Sequence, residues 1–126
     1  MRVLLDTHIL LWWLADDPLL PSEARALIAD ASTEVLVSAA SVWEITIKRA
    51  AGRLEAPDDL LDALAANDFD TLSISAGHAI KAGGLPPHHP DPFDRMLIAQ
   101  AQAEGLALVT LDRRFSEYEV DLLPGR

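Results

Sequence analysis

Short apolar runs alternate with stretches of helical periodicity along this chain, and that alternation sets the expected fold. Arg2 to Leu5 and Leu106 to Thr110 have the length and continuous apolar character of buried strands. Glu34 to Val37 and Thr71 to Ile74 read the same way, and Val120 to Leu123 adds a last edge strand. Helices are predicted between them. One covers Thr7 to Ala15, and a second has Ser22 as its cap and runs to about Ala31. A third follows Ser38 and stops at Gly52, with apolar positions at three- and four-residue intervals; a fourth opens at Pro57-Asp58 and runs to about Asn67. Ser75 caps a short helix broken by Gly83 and Gly84. Asp91 and Pro92 then start a longer one that Gly105 ends. Strands separated by helices imply an α/β fold: a three-layer α/β/α sandwich on a mainly parallel sheet, with residues 1–126 forming one domain.

The first helix departs from the amphipathic rule. Ile9, Leu10, Leu11, Trp12, Trp13 and Leu14 are consecutive and cover its whole circumference, so it needs burial on more than one side. Either a neighbouring helix of the chain covers the second side, or Trp12 and Trp13 pack on another protein.

Composition narrows the setting. Half of the 126 residues are hydrophobic and there is no Cys, which excludes disulfides and thiolate metal sites and fits a reducing, cytoplasmic environment. No apolar run is long enough to span a bilayer, and the start lacks signal-peptide character. A formal charge of −10 excludes nucleic-acid binding by bulk positive charge. It suits a basic partner, an acidic cluster neutralised by metal, or simply solubility.

Four acids share one structural address. Asp6 and Asp112 each follow a strand, and Glu44 and Asp94 lie in the first two turns of helices, so all four can face the crevice at the carboxyl ends of the strands. Two have a structural alternative: Asp6 is placed to cap the first helix, and Glu44 has capping-box spacing from Ser41. Carboxylates gathered so closely either take up protons or bind a cation, and hard oxygen donors favour Mg²⁺ or Mn²⁺ over zinc. The matching chemistry is metal-assisted hydrolysis of a phosphodiester. His88 and His89 sit in a Pro-rich loop; adjacent histidines point apart and lack the spacing of a zinc site, so they are read as loop residues.

On these residues the chain resembles a known family. Leu4-Leu5-Asp6-Thr7, Ser41-Val42-Trp43-Glu44-Ile45, the run from Asp91 to Ala101, and Val109-Thr110-Leu111-Asp112 with Phe115 are similar, in order and spacing, to the motifs of PIN domains, and in particular of VapC-type ribonuclease toxins. The resemblance implies a Mg²⁺ or Mn²⁺ centre on Asp6, Glu44, Asp94 and Asp112, endonucleolytic cleavage of RNA, homodimers, and inhibition by an antitoxin protein with a basic segment. A gap-free fit puts the third acid on Asp94 and leaves Asp91 as a cap. Thr7 and Thr110 are candidates to orient a carboxylate or a water. Lys48, Arg49, Arg53, Arg95, Arg113 and Arg114 lie near the motifs in sequence and are candidate RNA contacts. A housekeeping PIN nuclease is one alternative. Another, from a different class, is a non-catalytic receiver-like switch, which requires a Lys near its last strand; the only lysines are Lys48 and Lys81.

Overall fold

A computed structural model describes residues 1–124. Five strands form one sheet in the order β3-β2-β1-β4-β5, every neighbouring pair parallel. The strands are β1 (Arg2–Leu5), β2 (Glu34–Ser38), β3 (Asp70–Leu72), β4 (Ala107–Val109) and β5 (Leu122–Leu123). Helices α1 (Thr7–Leu14) and α2 (Ser22–Ala29) join β1 to β2, and α3 (Ala39–Ala50) and α4 (Leu60–Ala66) join β2 to β3. Helices α5 (Ala76–Gly83) and α6 (Pro92–Glu104) join β3 to β4, and a 3-10 helix, Arg113–Glu117, precedes β5.

The alternation of side chains along β1 divides the interior in two. Val3 and Leu5 face a cluster with Ile9, Leu10, Ile28, Ile45 and Leu64, drawn from α1 to α4. Leu4 faces the opposite side, against Leu97 and Ile98 of α6 and Phe115 and Tyr118 beyond it. Helices therefore cover both faces, as the alternating pattern predicts. Val3, Leu4 and Leu5 are wholly buried, each contributing roughly 2 kcal/mol of apolar transfer energy.

Local chemistry explains most helix boundaries. The Ser38 hydroxyl accepts the Ala40 N–H at 3.0 Å and caps α3. Ser75 and His78 form a reciprocal capping box at α5, and Asp91 caps α6 through the Phe93 N–H at 2.8 Å. Gly105 adopts the left-handed conformation, φ 65°, that stops α6. Two starts differ from expectation. Ser22 is the first residue of α2 instead of its cap, with Pro21 in the cap position and no side-chain bond there. Helix α4 starts at Leu60, because Asp59, not Asp58, accepts an N–H from the first turn. No helix among the described residues is long and apolar enough to cross a membrane.

The strand order reverses beside β1: the chain winds outward through β2 and β3, then returns to place β4 on the other side of β1. A crevice opens at such a switch point, past the carboxyl ends of the two strands. Asp6 follows β1 and Asp112 follows β4.

Candidate metal centre

Asp6 stands at the cap position of α1 but makes no side-chain capping bond. Its Oδ2 instead accepts the Thr110 hydroxyl at 2.7 Å, and its backbone N–H donates to the Val109 carbonyl, extending the β1–β4 ladder to the crevice. The Thr110 oxygen in turn accepts the Asp112 N–H at 3.0 Å. One hydroxyl therefore fixes both strand-end acids, the orienting role expected of Thr110. Thr7 does not share it: its hydroxyl donates to Ser41 Oγ at 2.9 Å, tying α1 to α3 rather than holding a carboxylate.

Glu44 lies in the second turn of α3. Because Ser38 already caps that helix, the capping-box alternative through Ser41 is not used, and Glu44 is free to face inward. It is buried. Lys48, one turn later, reaches Glu44 Oε2 at 2.6 Å, and Oε1 has no partner. An orphaned carboxylate oxygen in a buried position is costly unless something fills its coordination.

Asp94 sits in the first turn of α6, with the cap already supplied by Asp91. The N-terminal turns of α3 and α6 are held side by side by Trp43 and Phe93, whose rings meet edge to face at 5.4 Å. Burial, then the charges of Asp6, Asp91, Glu44 and Asp112, push the Asp94 carboxyl up to about 8. The other three acids named from the sequence are thus all near enough to act on Asp94. Burial also raises Asp6, against the pull of the Thr110 hydrogen bond. Asp112 is held low, chiefly by the side chain of Arg114, which grips both its oxygens.

The loop histidines separate: His88 stays an exposed loop residue, whereas the same reading of His89 is corrected. His89 is wholly buried against Phe115, with Nε2 at 2.9 Å from Asp94 Oδ2 and 3.5 Å from Asp112 Oδ2. Its Nδ1 accepts the Asp91 N–H at 3.2 Å. That nitrogen carries the lone pair, so in the neutral ring Nε2 carries the hydrogen. Close as it is to both carboxylates, Nε2 makes a hydrogen bond with neither. The nearest ligand atoms of His89, Asp94 and Asp112 lie within 4.8 Å of one another, so the imidazole stands beside the acids as a further group able to face a cation. Nothing local in the sequence marks His89; long-range contacts place it. Its N–H donates to the Tyr118 hydroxyl at 2.9 Å, and Arg95 bonds its carbonyl.

The candidate RNA contacts divide sharply. Arg95 is not available to RNA: its guanidinium donates to the carbonyls of Ala82, Leu85, Pro86 and His89 and so pins the loop before α6. Lys48 and Arg114 are paired with the site acids Glu44 and Asp112, and Arg49 is paired with Asp58. Arg53 and Arg113 are exposed and make no ion pair among the described residues. The two tryptophans of α1 also part. Trp13 donates its indole N–H to Asn67 Oδ1 at 3.0 Å and packs on Phe69, so the chain itself covers part of its surface. Trp12 is half-buried and lines an open cavity beside Asp6 and Asp112.

The donor set fits a hard divalent cation. It is rich in carboxylate oxygens, one of them buried and unpartnered, and burial together with the neighbouring charges pushes the Asp94 carboxyl up to about 8.

Comparison with known proteins agrees with this geometry. The chain is 34% identical over 119 residues to Ribonuclease VapC22 of Mycobacterium tuberculosis, covering 92% of this chain and 91% of that protein. Its fold is similar to VapBC2 from Rickettsia felis, solved bound to a DNA fragment from its promoter: TM-score 0.67, 17% identity, 97% of each chain covered. It is also similar to a toxin-antitoxin complex from Klebsiella pneumoniae, with TM-score 0.64, 22% identity and 90% of each chain covered. The PIN domain family model matches residues 3–121, a span that begins inside β1 and ends before β5 and so contains all four acids. With the motifs, the switch-point crevice and this match in agreement, the chain belongs to the PIN domain family.

Proposed function

We propose that this chain is a metal-dependent endoribonuclease and the toxin half of a toxin-antitoxin pair, acting as a single nuclease domain over residues 1–126 in the cytoplasm. The observation that carries the reading is that the charges of Asp6, Glu44 and Asp112 all bear on Asp94, while Glu44 Oε1 is buried and unpartnered. The 34% identity to a protein named Ribonuclease VapC22 supports the activity, and the similarity to solved toxin-antitoxin complexes supports the partner.

Asp6, Glu44, Asp94 and Asp112 would hold Mg²⁺ or Mn²⁺. Bound there, the cation supplies Lewis acidity, making an attacking water more acidic and drawing charge from the departing oxygen. The chain's own residues do the rest. Thr110 ties the Asp6 carboxylate to the Asp112 backbone, and His89 places Nε2 beside the Asp94 and Asp112 carboxylates. One of these carboxylates would also take the proton that the attacking water gives up. Arg53 and Arg113 supply positive charge for phosphates on either side of the cut.

A partner with a basic segment suits a chain of net charge −10 whose crevice gathers four carboxylates. Pairing with a second copy is served by α3, where Trp43 is 61% and Ile47 44% exposed. A receiver-like switch has no support here, since Lys48 is committed to Glu44 and Lys81 lies on α5.

The test is inducible expression of the chain and of its Asp94→Asn form in a bacterial host, with total RNA mapped for new 5′ ends. Growth arrest with discrete cuts from the unmutated chain alone is expected. Discrete cuts without arrest would favour a housekeeping nuclease, and arrest by both forms would remove the site from the mechanism.

A further inference from the structure

Three cavities adjoin the acids. One, of about 250 Å³, contains Glu44, Lys48 and Arg53. Another, of about 280 Å³, lies between α1 and the end of β4, where Asp6 and Asp112 meet His8, Ile9, Trp12 and Leu111. A third, of about 610 Å³, shares Leu111 and Asp112 and contains Arg113. His8 lines both the first and the second, so the three follow one another across the crevice.

We propose that the middle cavity receives an unstacked nucleobase of single-stranded RNA next to the bond being cut, with neighbouring phosphates on Arg53 and Arg113. The proposal rests on the ribonuclease reading and adds to it a place for the base. Apart from the two carboxylates, the wall is an indole, an imidazole and two aliphatic side chains, with Leu111 47% exposed. Such a surface offers a sugar or phosphate little, but it matches the face of a heterocycle. The cavity is smaller than the pockets that hold drug-sized ligands, which suits a single base. Because Asp6 and Asp112 belong to both cavity and metal centre, a group that fills it belongs to the molecule being cut. Trp12 is available for this: unlike Trp13, its indole N–H makes no hydrogen bond among the described residues, and its ring sits 6.1 Å from that of His8. The flanking charges identify the class of ligand. Arg53 and Arg113 are exposed, have no ion pair among the described residues, and offer positive charge to a polyanion on either side of the cavity. A base can enter only if it leaves its stack, so the strand is single or looped.

The test uses a single-stranded oligoribonucleotide that the wild-type chain cuts with Mn²⁺, together with versions abasic at each nucleotide flanking the cut. Wild type, Trp12→Ala and Leu111→Ala are compared; the last changes an exposed residue and keeps the proposal testable if α1 tolerates no change. One abasic position is expected to lower wild-type kcat/KM about tenfold or more, and that penalty should shrink toward unity in both variants. Equal cleavage of all abasic forms by wild type, or an undiminished penalty in both variants, would overturn the proposal. So would variants that lose affinity for the antitoxin while keeping wild-type base dependence, since the cavity would then belong to the protein partner. Failure of wild type to cut any RNA with metal would instead remove the ribonuclease reading itself, and the proposal with it.

Discussion

Replacing Asp94 by Asn should inactivate the protein and, without metal, make it more stable above neutral pH. The native carboxyl is pushed from 3.8 up to about 8, by burial first and then by the charges around it. Between those values the native state keeps a proton that the unfolded chain has lost, so stability falls as pH rises. The stability tied to that proton is fully present below about pH 3.8 and lost once pH has climbed through about 8. A rise of about 4 units, at about 1.4 kcal/mol each, sets a ceiling of about 6 kcal/mol. Water entry and rotation of neighbouring carboxylates lower the real figure, and about 2–3 kcal/mol is expected, near 10 °C in Tm for a domain of this size. Asn has the same shape and no charge to lose. In EDTA, urea unfolding from pH 5 to 9 should show wild type weakening relative to Asp94→Asn, with the variant the more stable at pH 9. Parallel curves for the two proteins, or a variant less stable at pH 9, would refute the claim that these acids strain one another.

Other outcomes follow from the same contacts. Mn²⁺ at about 100 times its Kd should add about 2.7 kcal/mol to the wild-type chain, and Asp6→Asn should lose most of that gain, both read as Tm shifts. Thr110→Val breaks the bond to Asp6 and removes the acceptor of the Asp112 N–H; about 1–2 kcal/mol of stability and about tenfold in metal affinity should go, measured by denaturation and calorimetric titration. Arg95→Ala frees four loop carbonyls and should cost about 2–4 kcal/mol, with limited proteolysis moving into residues 82–89.

What the sequence revealed, and what it concealed, follows from the range of the interactions concerned. Ser38, Ser75, Asp91 and Gly105 act on residues two to four positions away, so their chemistry can be read from the chain. The address of the four acids was legible because strand-helix alternation implies a parallel sheet with one working edge. Whether Asp6 caps α1 or joins the site was not legible, since both roles need a carboxylate at the same position; the Thr110 hydroxyl, 104 residues away in sequence, decides it. His89 stayed hidden for the same reason. Neighbour spacing says nothing of a loop whose position is set by Arg95 and Tyr118. Sequence proximity likewise marked Arg95 as an RNA contact, although both its terminal amino groups are bonded to backbone carbonyls, and gave no sign that Trp13 bonds Asn67 and packs on Phe69.

The central claim, that four carboxylates form a metal-dependent RNA-cutting centre, is tested most directly with purified protein and end-labelled single-stranded RNA, in Mg²⁺, in Mn²⁺ and in EDTA, beside the Asp6→Asn form. Discrete internal cuts by the wild-type chain with either metal, abolished by EDTA and by the substitution, are the expected result. Cleavage of equal rate and pattern by Asp6→Asn, or in EDTA, would contradict it.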